Sequence, residues 1–178
     1  MTIIKISLIV LAVAIVAILI LAAAKPDVYT VGRSQVINAP ADKIHAIINT
    51  PREFERWSPY APKDPQMKNT YSGPASGVGA RTDFAGNGQV GEGSVEITRS
   101  AAPGEVVMRL TMLKPFAAQN EVLYSLAPQG GATQVTWAMT ARQPYFAKII
   151  GVFINMDSMI GKDFADGLAH LKALAEKA

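Results

Sequence analysis

The chain has 178 residues, 49% of them hydrophobic, and its 17 basic and 14 acidic side chains leave a net charge of +3. This length suits one ordinary domain and is short for two. The absence of cysteine excludes disulfides and thiolate metal sites. The basic residues form no run or arginine cluster, so the charge pattern gives little support for nucleic-acid binding.

An apolar segment, ISLIVLAVAIVAILILAAA at residues 6–24, has Ser7 as its only polar side chain. A helix of this length reaches about 28 Å, close to the hydrocarbon thickness of a bilayer. We therefore predict a transmembrane anchor over residues 1–25, followed by a domain over residues 26–178. A signal peptide is the alternative, although the segment exceeds the usual apolar length of about 7–15 residues. A buried core helix is a poor third option, because the segment has no polar face.

The charges beside this segment specify its orientation only weakly. Lys5 precedes it, whereas Lys25 and Arg33 follow it and are offset by Asp27. The positive-inside rule therefore gives no clear orientation for this segment. We expect a single-pass membrane protein and favour a domain outside the cytoplasm, with the cytoplasmic side as the alternative.

After the anchor, β-branched residues at 28–37 predict a strand, and residues 41–49 and the segment from Thr50-Pro51 predict two short helices. The chain then alternates apolar and polar residues, which predicts six strands separated by Gly-, Pro- or Asn-rich breaks. These strands cover residues 68–72, 80–84, 88–99, 105–113, 119–126 and 133–142. Their short connections predict an antiparallel meander.

The last segment, residues 157–178, repeats apolar residues every three or four positions and predicts a long amphipathic helix capped by Asp157 or Ser158. The order of elements is therefore β-α-α-β6-α. This order predicts an α+β fold, in which the last helix covers the apolar face of a seven-stranded antiparallel sheet.

The motif GNGQVG, residues 86–91, matches the dinucleotide-binding pattern G-x-G-x-x-G. That pattern binds pyrophosphate only between a strand and a helix, and here a strand pattern follows it. We therefore predict no nucleotide cofactor. Instead, we predict a hairpin turn with positive φ at Gly86-Asn87-Gly88, and a bulge or bend at Gly91 and Gly93. Such a curved sheet could leave a hollow beneath the helix.

Several motifs follow one another across residues 28–177: SQVINAPADKI, FERWSPYAPKDP, YSGPASGVGA, GNGQVGEGSVEI, TQVTWAM and MDSMIGKDFADGLAHLK. Together with the order of elements, they resemble the START-like helix-grip superfamily, and within it the polyketide cyclase/dehydrase and lipid-transport (SRPBCC) group. The resemblance implies a curved antiparallel sheet wrapped around a long C-terminal helix. It also implies an elongated cavity that accepts hydrophobic small molecules. No particular reaction follows, because a fold does not determine function.

Bulky apolar residues on the inner face of the sheet and nearby are predicted to line this cavity. The candidates are Trp57, Tyr60, Phe84, Met108, Met112, Phe116, Tyr124, Trp137, Phe146, Met156 and Met159. Methionines would give a deformable lining. The alternative is that these side chains fill a closed core. Gly161 and Gly167 each cost about 1 kcal/mol relative to alanine in a helix, so a close approach, ligand space or a kink is needed to explain them.

Glu92, between two glycines, is the candidate acid–base residue if its side chain points inward. We favour the alternative, an exposed strand position. His45 and His170 lack metal-site spacing, so we expect both on the surface and predict no metal site.

These observations predict a membrane-tethered carrier or sensor of a hydrophobic, lipid-like small molecule. Its partners would be this ligand and, through residues 6–24, the lipid bilayer. The alternative is a cyclase- or dehydratase-like enzyme that uses an acid–base residue in the cavity. A structural membrane protein with a closed core is the third class.

Overall fold

A seven-stranded sheet and five α-helices form the part of the chain that the computed structural model describes, residues 2–177. The helices are α1 (Thr2–Ala23), α2 (Ala41–Ile48), α3 (Pro51–Trp57), α4 (Tyr145–Phe153) and α5 (Met156–Ala175). The strands are β1 (Val28–Ile37), β2 (Lys68–Ser72), β3 (Arg81–Ala85), β4 (Glu92–Ala101), β5 (Glu105–Lys114), β6 (Ala118–Gln129) and β7 (Ala132–Arg142). A 3-10 turn covers Ala61–Lys63.

The sheet order is β1-β7-β6-β5-β4-β3-β2, and every neighbouring pair is antiparallel. β2 to β7 form the predicted meander, and β1 pairs with β7 as the edge strand of the sheet. The predicted α+β helix-grip fold is therefore confirmed. The sequence did not predict α4, which lies between the last strand and the C-terminal helix.

The C-terminal helix α5 lies mainly along β1 rather than over the centre of the sheet. Its buried face carries Phe164, Leu168 and Leu171 at spacings of four and three residues. Burying each of these side chains contributes about 1.5–3 kcal/mol. The predicted cap, Asp157 or Ser158, was wrong. The helix begins two or three residues earlier, because the capping residue is Asn155, whose side chain accepts a hydrogen bond from the Ser158 backbone N–H (3.0 Å). Asp157 instead pairs with Arg33 on β1.

Both glycines of α5 lie where the helix backbone comes close to neighbouring side chains, and the helix is continuous through them. A Cβ on Gly167 would stand 2.6 Å from Cζ3 of Trp137 and 3.1 Å from Cδ of Pro59. A Cβ on Gly161 would overlap the guanidinium group of Arg33. Close approach to the sheet, and not a kink, therefore accounts for these two residues.

The GNGQVG segment forms a wider turn than the predicted hairpin. The Asn87 backbone oxygen accepts a hydrogen bond from the Gly91 N–H (2.7 Å), and its side-chain oxygen accepts one from the Gln89 N–H (2.8 Å). The positive φ is at Gly91 (82°), so the prediction of positive φ at residues 86–88 was wrong. Strand β4 consequently starts at Glu92, and a register shift between Glu92 and Gly93 gives the predicted bulge.

The surface position expected for His45 was wrong, because this side chain is buried. Helix α2 packs its Ile44, His45 and Ile48 face against the rest of the domain. The Nε2 atom of His45 lies 3.2 Å from the Ser100 hydroxyl oxygen, which gives the buried ring a polar partner. His170 is exposed, as expected.

The N-terminal helix α1 is long and apolar enough to cross a membrane. Its segment Ile3–Ala23 has a mean hydropathy of 3.2, and only 6% of it is buried. A core helix would be mostly buried, so that option loses its support, whereas a signal sequence satisfies the same criteria of length and composition.

The end of α1 packs against α4. The Tyr145 hydroxyl donates a hydrogen bond to the Leu19 carbonyl oxygen (2.8 Å), and Ala22 is fully buried. Just beyond α1, the Asp27 carboxylate accepts a hydrogen bond from the buried Lys148 ammonium group (2.5 Å), and the Asp27 carbonyl oxygen accepts one from the Gln143 N–H (2.7 Å). These contacts connect the residues before β1 to α4 and to the segment that precedes it.

The Lys148–Asp27 pair is expected to stabilise this junction at neutral pH and to release it in acid. The hydrogen bond from Lys148, followed by its positive charge, lowers the pKa of Asp27. A carboxylate with a lowered pKa stabilises the fold above its unfolded pKa of about 4 and loses that effect as the pH falls. Asp27→Asn should therefore flatten the fall of the thermal midpoint between pH 6 and pH 2, measured by circular dichroism on the full chain in detergent micelles. Asp42→Asn, an exposed change on α2, should keep the wild-type profile; identical profiles for Asp27→Asn and wild type would contradict this role.

Candidate functional site

Four buried aromatic side chains, here called the aromatic cluster, occupy the space between α5, α3 and the β6–β7 part of the sheet: Trp57, Tyr124, Trp137 and Phe164. Trp137 stacks on Phe164 with ring centroids 4.3 Å apart and planes inclined by 12°. Trp57 meets Trp137 edge-on at 5.7 Å, and the Tyr124 ring lies 5.1 Å from Trp137. The cluster therefore joins the helix, the sheet and the end of α3.

Both indole N–H groups of the aromatic cluster lack a hydrogen-bond partner among the described residues. These Nε1 atoms belong to Trp57 and Trp137, which are 1% and 3% exposed. Buried polar groups nearly always have a partner, and an unpaired buried donor costs about 1–3 kcal/mol. Both donors are therefore left without an acceptor in the described part of the chain.

Two tyrosine hydroxyls add neutral polar groups to this interior. Burial raises the pKa of Tyr60, and the negative charge of Asp163 raises it further. Burial likewise raises the pKa of Tyr124 well above its usual value. Both phenols therefore stay protonated at physiological pH and can donate hydrogen bonds. Asp163 itself is held by the Lys63 ammonium group at 2.5 Å.

Beside the aromatic cluster, the inner face of β4 and β5 carries a set of half-buried apolar side chains. Met108, Leu110 and Met112 alternate along β5 and stand opposite Ile97, Val95 and Gly93 on β4. Met108, Leu110 and Met112 are only half-buried because α5 lies along β1, at one edge of the sheet, and not over β5. We call the half-buried members the apolar wall: Val95, Met108, Leu110 and Met112.

The eleven residues predicted to line a cavity fall into three groups. Trp57, Tyr124 and Trp137 lie in the aromatic cluster. The half-buried ones are Tyr60, Phe84, Met108, Met112 and Met156. The exposed ones are Phe116, Phe146 and Met159.

The structure thus brings the first group together and places all three residues of the last group at the surface, where the Phe116 and Phe146 rings lie 6.1 Å apart. The prediction omitted Phe164, Leu110 and Val95. Periodicity could have identified all three, since Phe164 belongs to the apolar face of α5 and Leu110 lies between Met108 and Met112 on one strand face.

Glu92 lies at the start of β4, away from the aromatic cluster. Its carboxylate is 2.7 Å from the Lys114 ammonium group, and its side chain is 37% exposed. Gly93 stands opposite Met112 of the apolar wall. Glu92 and Gly93 pair with β3 in continuous register, so alternation along the strand puts Glu92 on the other face of the sheet. The Arg109 guanidinium group approaches the Glu96 carboxylate (3.6 Å) and not that of Glu92.

Two surface grooves lie outside this interior. One, of about 460 Å³, is lined by Lys43, Ala46, Ile47, Arg56, Leu174 and Lys177. The other, of about 210 Å³, lies between the start of α3 and the β2–β3 connection and includes Arg52, Tyr71 and Arg81. Neither groove contains any of the eleven predicted lining residues.

The family model for polyketide cyclase/dehydrase and lipid transport matches residues 29–176, which is nearly the whole chain after α1. The chain belongs to this family. The matched residues include both the aromatic cluster and the apolar wall. A comparison with curated proteins found no match.

Solved structures share the fold of this family member at low sequence identity. Protein CV1439 from Chromobacterium violaceum has a TM-score of 0.60 and 12% identity, over 84% of this chain and 98% of that protein. Protein MLL2253 from Mesorhizobium loti has a TM-score of 0.62 and 16% identity, over 84% and 98%. The Aha1 dimer from Colwellia psychrerythraea has a TM-score of 0.60 and 18% identity, over 84% and 97%. At these identities the similarity establishes the fold and no more.

Proposed function

We propose that this protein is a membrane-tethered binding or transport module for a lipid-like small molecule, held between the sheet and α5. The observation that carries the proposal is the pair of buried, unpartnered indole N–H groups of Trp57 and Trp137 beside the apolar wall. The wall would contact the hydrocarbon part of the ligand. The indoles would donate hydrogen bonds to its carbonyl, ester or hydroxyl oxygen.

The energetics favour a ligand of this amphiphilic type. Apolar surface contributes about 25 cal/mol for each Å² removed from water, and each satisfied N–H adds about 0.5–1.5 kcal/mol. The half-buried methionines of the wall could adjust to chains of different shape. A pure hydrocarbon would bury the same surface but leave both indoles unpaired.

The helix α1 supports the tether. Its segment Ile3–Ala23 has the length and hydropathy of a single membrane span, so residues 1–25 would form the anchor and residues 26–178 the ligand-binding domain. A domain fixed at the bilayer surface would meet lipid-like molecules where they partition. Anchoring and ligand transfer would then occur in one chain.

The alternative of a cyclase- or dehydratase-like enzyme gains no support from Glu92. That carboxylate pairs with Lys114 where β4 begins and β5 ends, far along these strands from Tyr124. The closed-core alternative predicts an empty protein in which the aromatic cluster only packs. The presence or absence of a co-purifying molecule therefore distinguishes the closed-core alternative from ligand binding.

The test is native mass spectrometry of the full chain in a mild detergent, followed by solvent extraction and identification of the bound molecule. We expect a discrete one-to-one adduct with an oxygen acceptor. Leu110→Trp, which fills the apolar wall, should lose this adduct. Thr111→Trp is the matched control, because it adds the same ring to the opposite face of β5 and should retain the adduct.

Three results would contradict the proposal. The wild-type chain could be empty and fail to bind a fluorescent fatty acid or sterol. The adduct could persist in Leu110→Trp, which would place it outside the wall, for example on α1. The extracted molecule could be a hydrocarbon without an acceptor, which would remove the assigned role of the indoles.

A further inference from the structure

Large apolar side chains lie exposed together at the end of the domain where α1 joins it. We call this set the end patch: Leu113, Phe116, Phe146, Phe153 and Ile154, exposed by 46–69%. Phe146 and Phe153 are seven residues apart on α4 and therefore share a helix face. Phe116, in the β5–β6 connection, extends that face through its contact with Phe146. Exposed apolar surfaces of this kind mark sites of contact with a partner or a membrane.

The position of α4 along α1 indicates which partner covers the end patch. Tyr145, at the start of α4, donates a hydrogen bond to the carbonyl oxygen of Leu19. Six residues later, Gly151 lies beside the Lys25 side chain, whose Cε is 3.7 Å from the position of a Cβ on that glycine. The two helices therefore run side by side in the same direction, and the first turn of α4 lies level with the last apolar turn of α1.

The depth of this contact follows from helix geometry. Leu19 precedes the end of α1 at Ala23 by four residues, which is about 6 Å along the axis. If Ile3–Ala23 crosses a bilayer, Tyr145 and Phe146 thus lie about 6 Å inside the end of the span, where it meets the interface. Tyrosine and other aromatic residues are enriched at this level.

Two further features keep the end patch at the membrane. The connection between α1 and β1 is only residues 24–27, which reach at most about 14 Å, so the domain cannot move far from the span. The only charged residue of α4, Lys148, is buried and paired with Asp27 instead of pointing out through the patch. The exposed side of α4 is therefore apolar.

We propose that the end patch inserts into the interfacial region of the leaflet next to the domain, so that the protein contacts the bilayer through α4 and the β5–β6 connection as well as through α1. This inference rests on the proposed membrane tether. It assigns a fixed orientation to the domain: the β5–β6 end faces the lipid, and the β6–β7 turn points away. Strand β6, with its twelve residues, separates the two ends by about 40 Å.

The absence of cysteine from the sequence allows a direct test with single-cysteine variants of the full chain. Phe116→Cys, Phe146→Cys, Gly131→Cys and Val13→Cys would each carry a nitrobenzoxadiazole label in phosphatidylcholine nanodiscs. Lipids with a nitroxide at the headgroup or in the acyl chain would quench labels by depth. Gly131, in the β6–β7 turn, is the exposed control, because a Cβ there meets nothing within 4 Å, and Val13 reports the span itself.

We expect the shallow nitroxide to quench the labels at 116 and 146 several-fold more than the label at 131, and the deep nitroxide to quench the label at 13. Quenching at 13 with labels at 116 and 146 that behave like the label at 131 would overturn the inference and leave the tether intact. A label at 13 that no lipid quenches would overturn both. Labels at 116 and 146 that are shielded from water but not quenched by lipid would show that a second copy of the chain covers the patch.

Discussion

Replacing Phe164 by alanine is expected to lower the free energy of unfolding by about 3–5 kcal/mol. The Phe164 ring is 2% exposed and stacks on Trp137 at 4.3 Å, so its removal deletes these contacts and leaves a cavity between α5 and β7. Neither element can close the gap without disturbing the packing of Leu168 and Leu171. Urea unfolding of the full chain in detergent micelles, followed by far-ultraviolet circular dichroism, measures the loss.

Met159→Ala is the control, because it removes a large apolar side chain from an exposed position on the same helix, α5. A surface change of this kind usually alters stability by less than about 0.5 kcal/mol. Equal losses in the two variants would show that the ring contacts of the aromatic cluster do not hold α5 on the sheet. A loss below about 1 kcal/mol for Phe164→Ala, well under the usual range for a buried phenylalanine, would lead to the same conclusion.

Gly167→Ala is expected to destabilise the protein by about 1–3 kcal/mol, the usual cost of overpacking. Alanine normally favours a helix by about 1 kcal/mol over glycine. Here, however, the added methyl group would press on the buried Trp137 ring and on Pro59, neither of which can turn away. The same urea titration measures this difference.

Gly161→Ala provides the control in the same helix. The atoms nearest to its methyl group belong to the Arg33 guanidinium group, which can rotate away. This rotation would break the partly exposed ion pair with Asp157, worth about 0–1 kcal/mol. The helix preference for alanine offsets that loss, so the variant should be nearly as stable as wild type. If Gly167→Ala were as stable as Gly161→Ala, the close packing of α5 on Trp137 would be wrong.

The regular part of the fold could be predicted because each element has a clear period. Alternation along β5 and β7 identified their inner faces, and three- and four-residue spacing identified α5. The prediction missed α4 because YFAKIIGVF has only nine residues and is apolar at almost every position, so periodicity does not distinguish a helix from a strand there. Its helix is defined by packing on α1, a contact between residues more than 120 positions apart, which periodicity does not report.

The site was less predictable for a related reason. Alternation shows which face of a strand a residue occupies, but not how far that residue lies from the covering helix. Because α5 lies along β1, Trp137 is buried while Met112, on the same inner face, is only half-buried. Phe116 and Phe146 were expected inside because they are large and apolar. Both lie outside regular strands, where side-chain direction depends on the path of the chain.

The aromatic cluster has a spectroscopic consequence. It contains both tryptophans of the chain, with ring centroids 5.7 Å apart. All indole emission of the protein therefore originates at one point of the interior, between the sheet and α5. A molecule that enters there would change the intrinsic emission spectrum directly, whereas events on α1 or at the bilayer surface would leave it almost untouched. The protein thus carries an unlabelled optical reporter of its own interior.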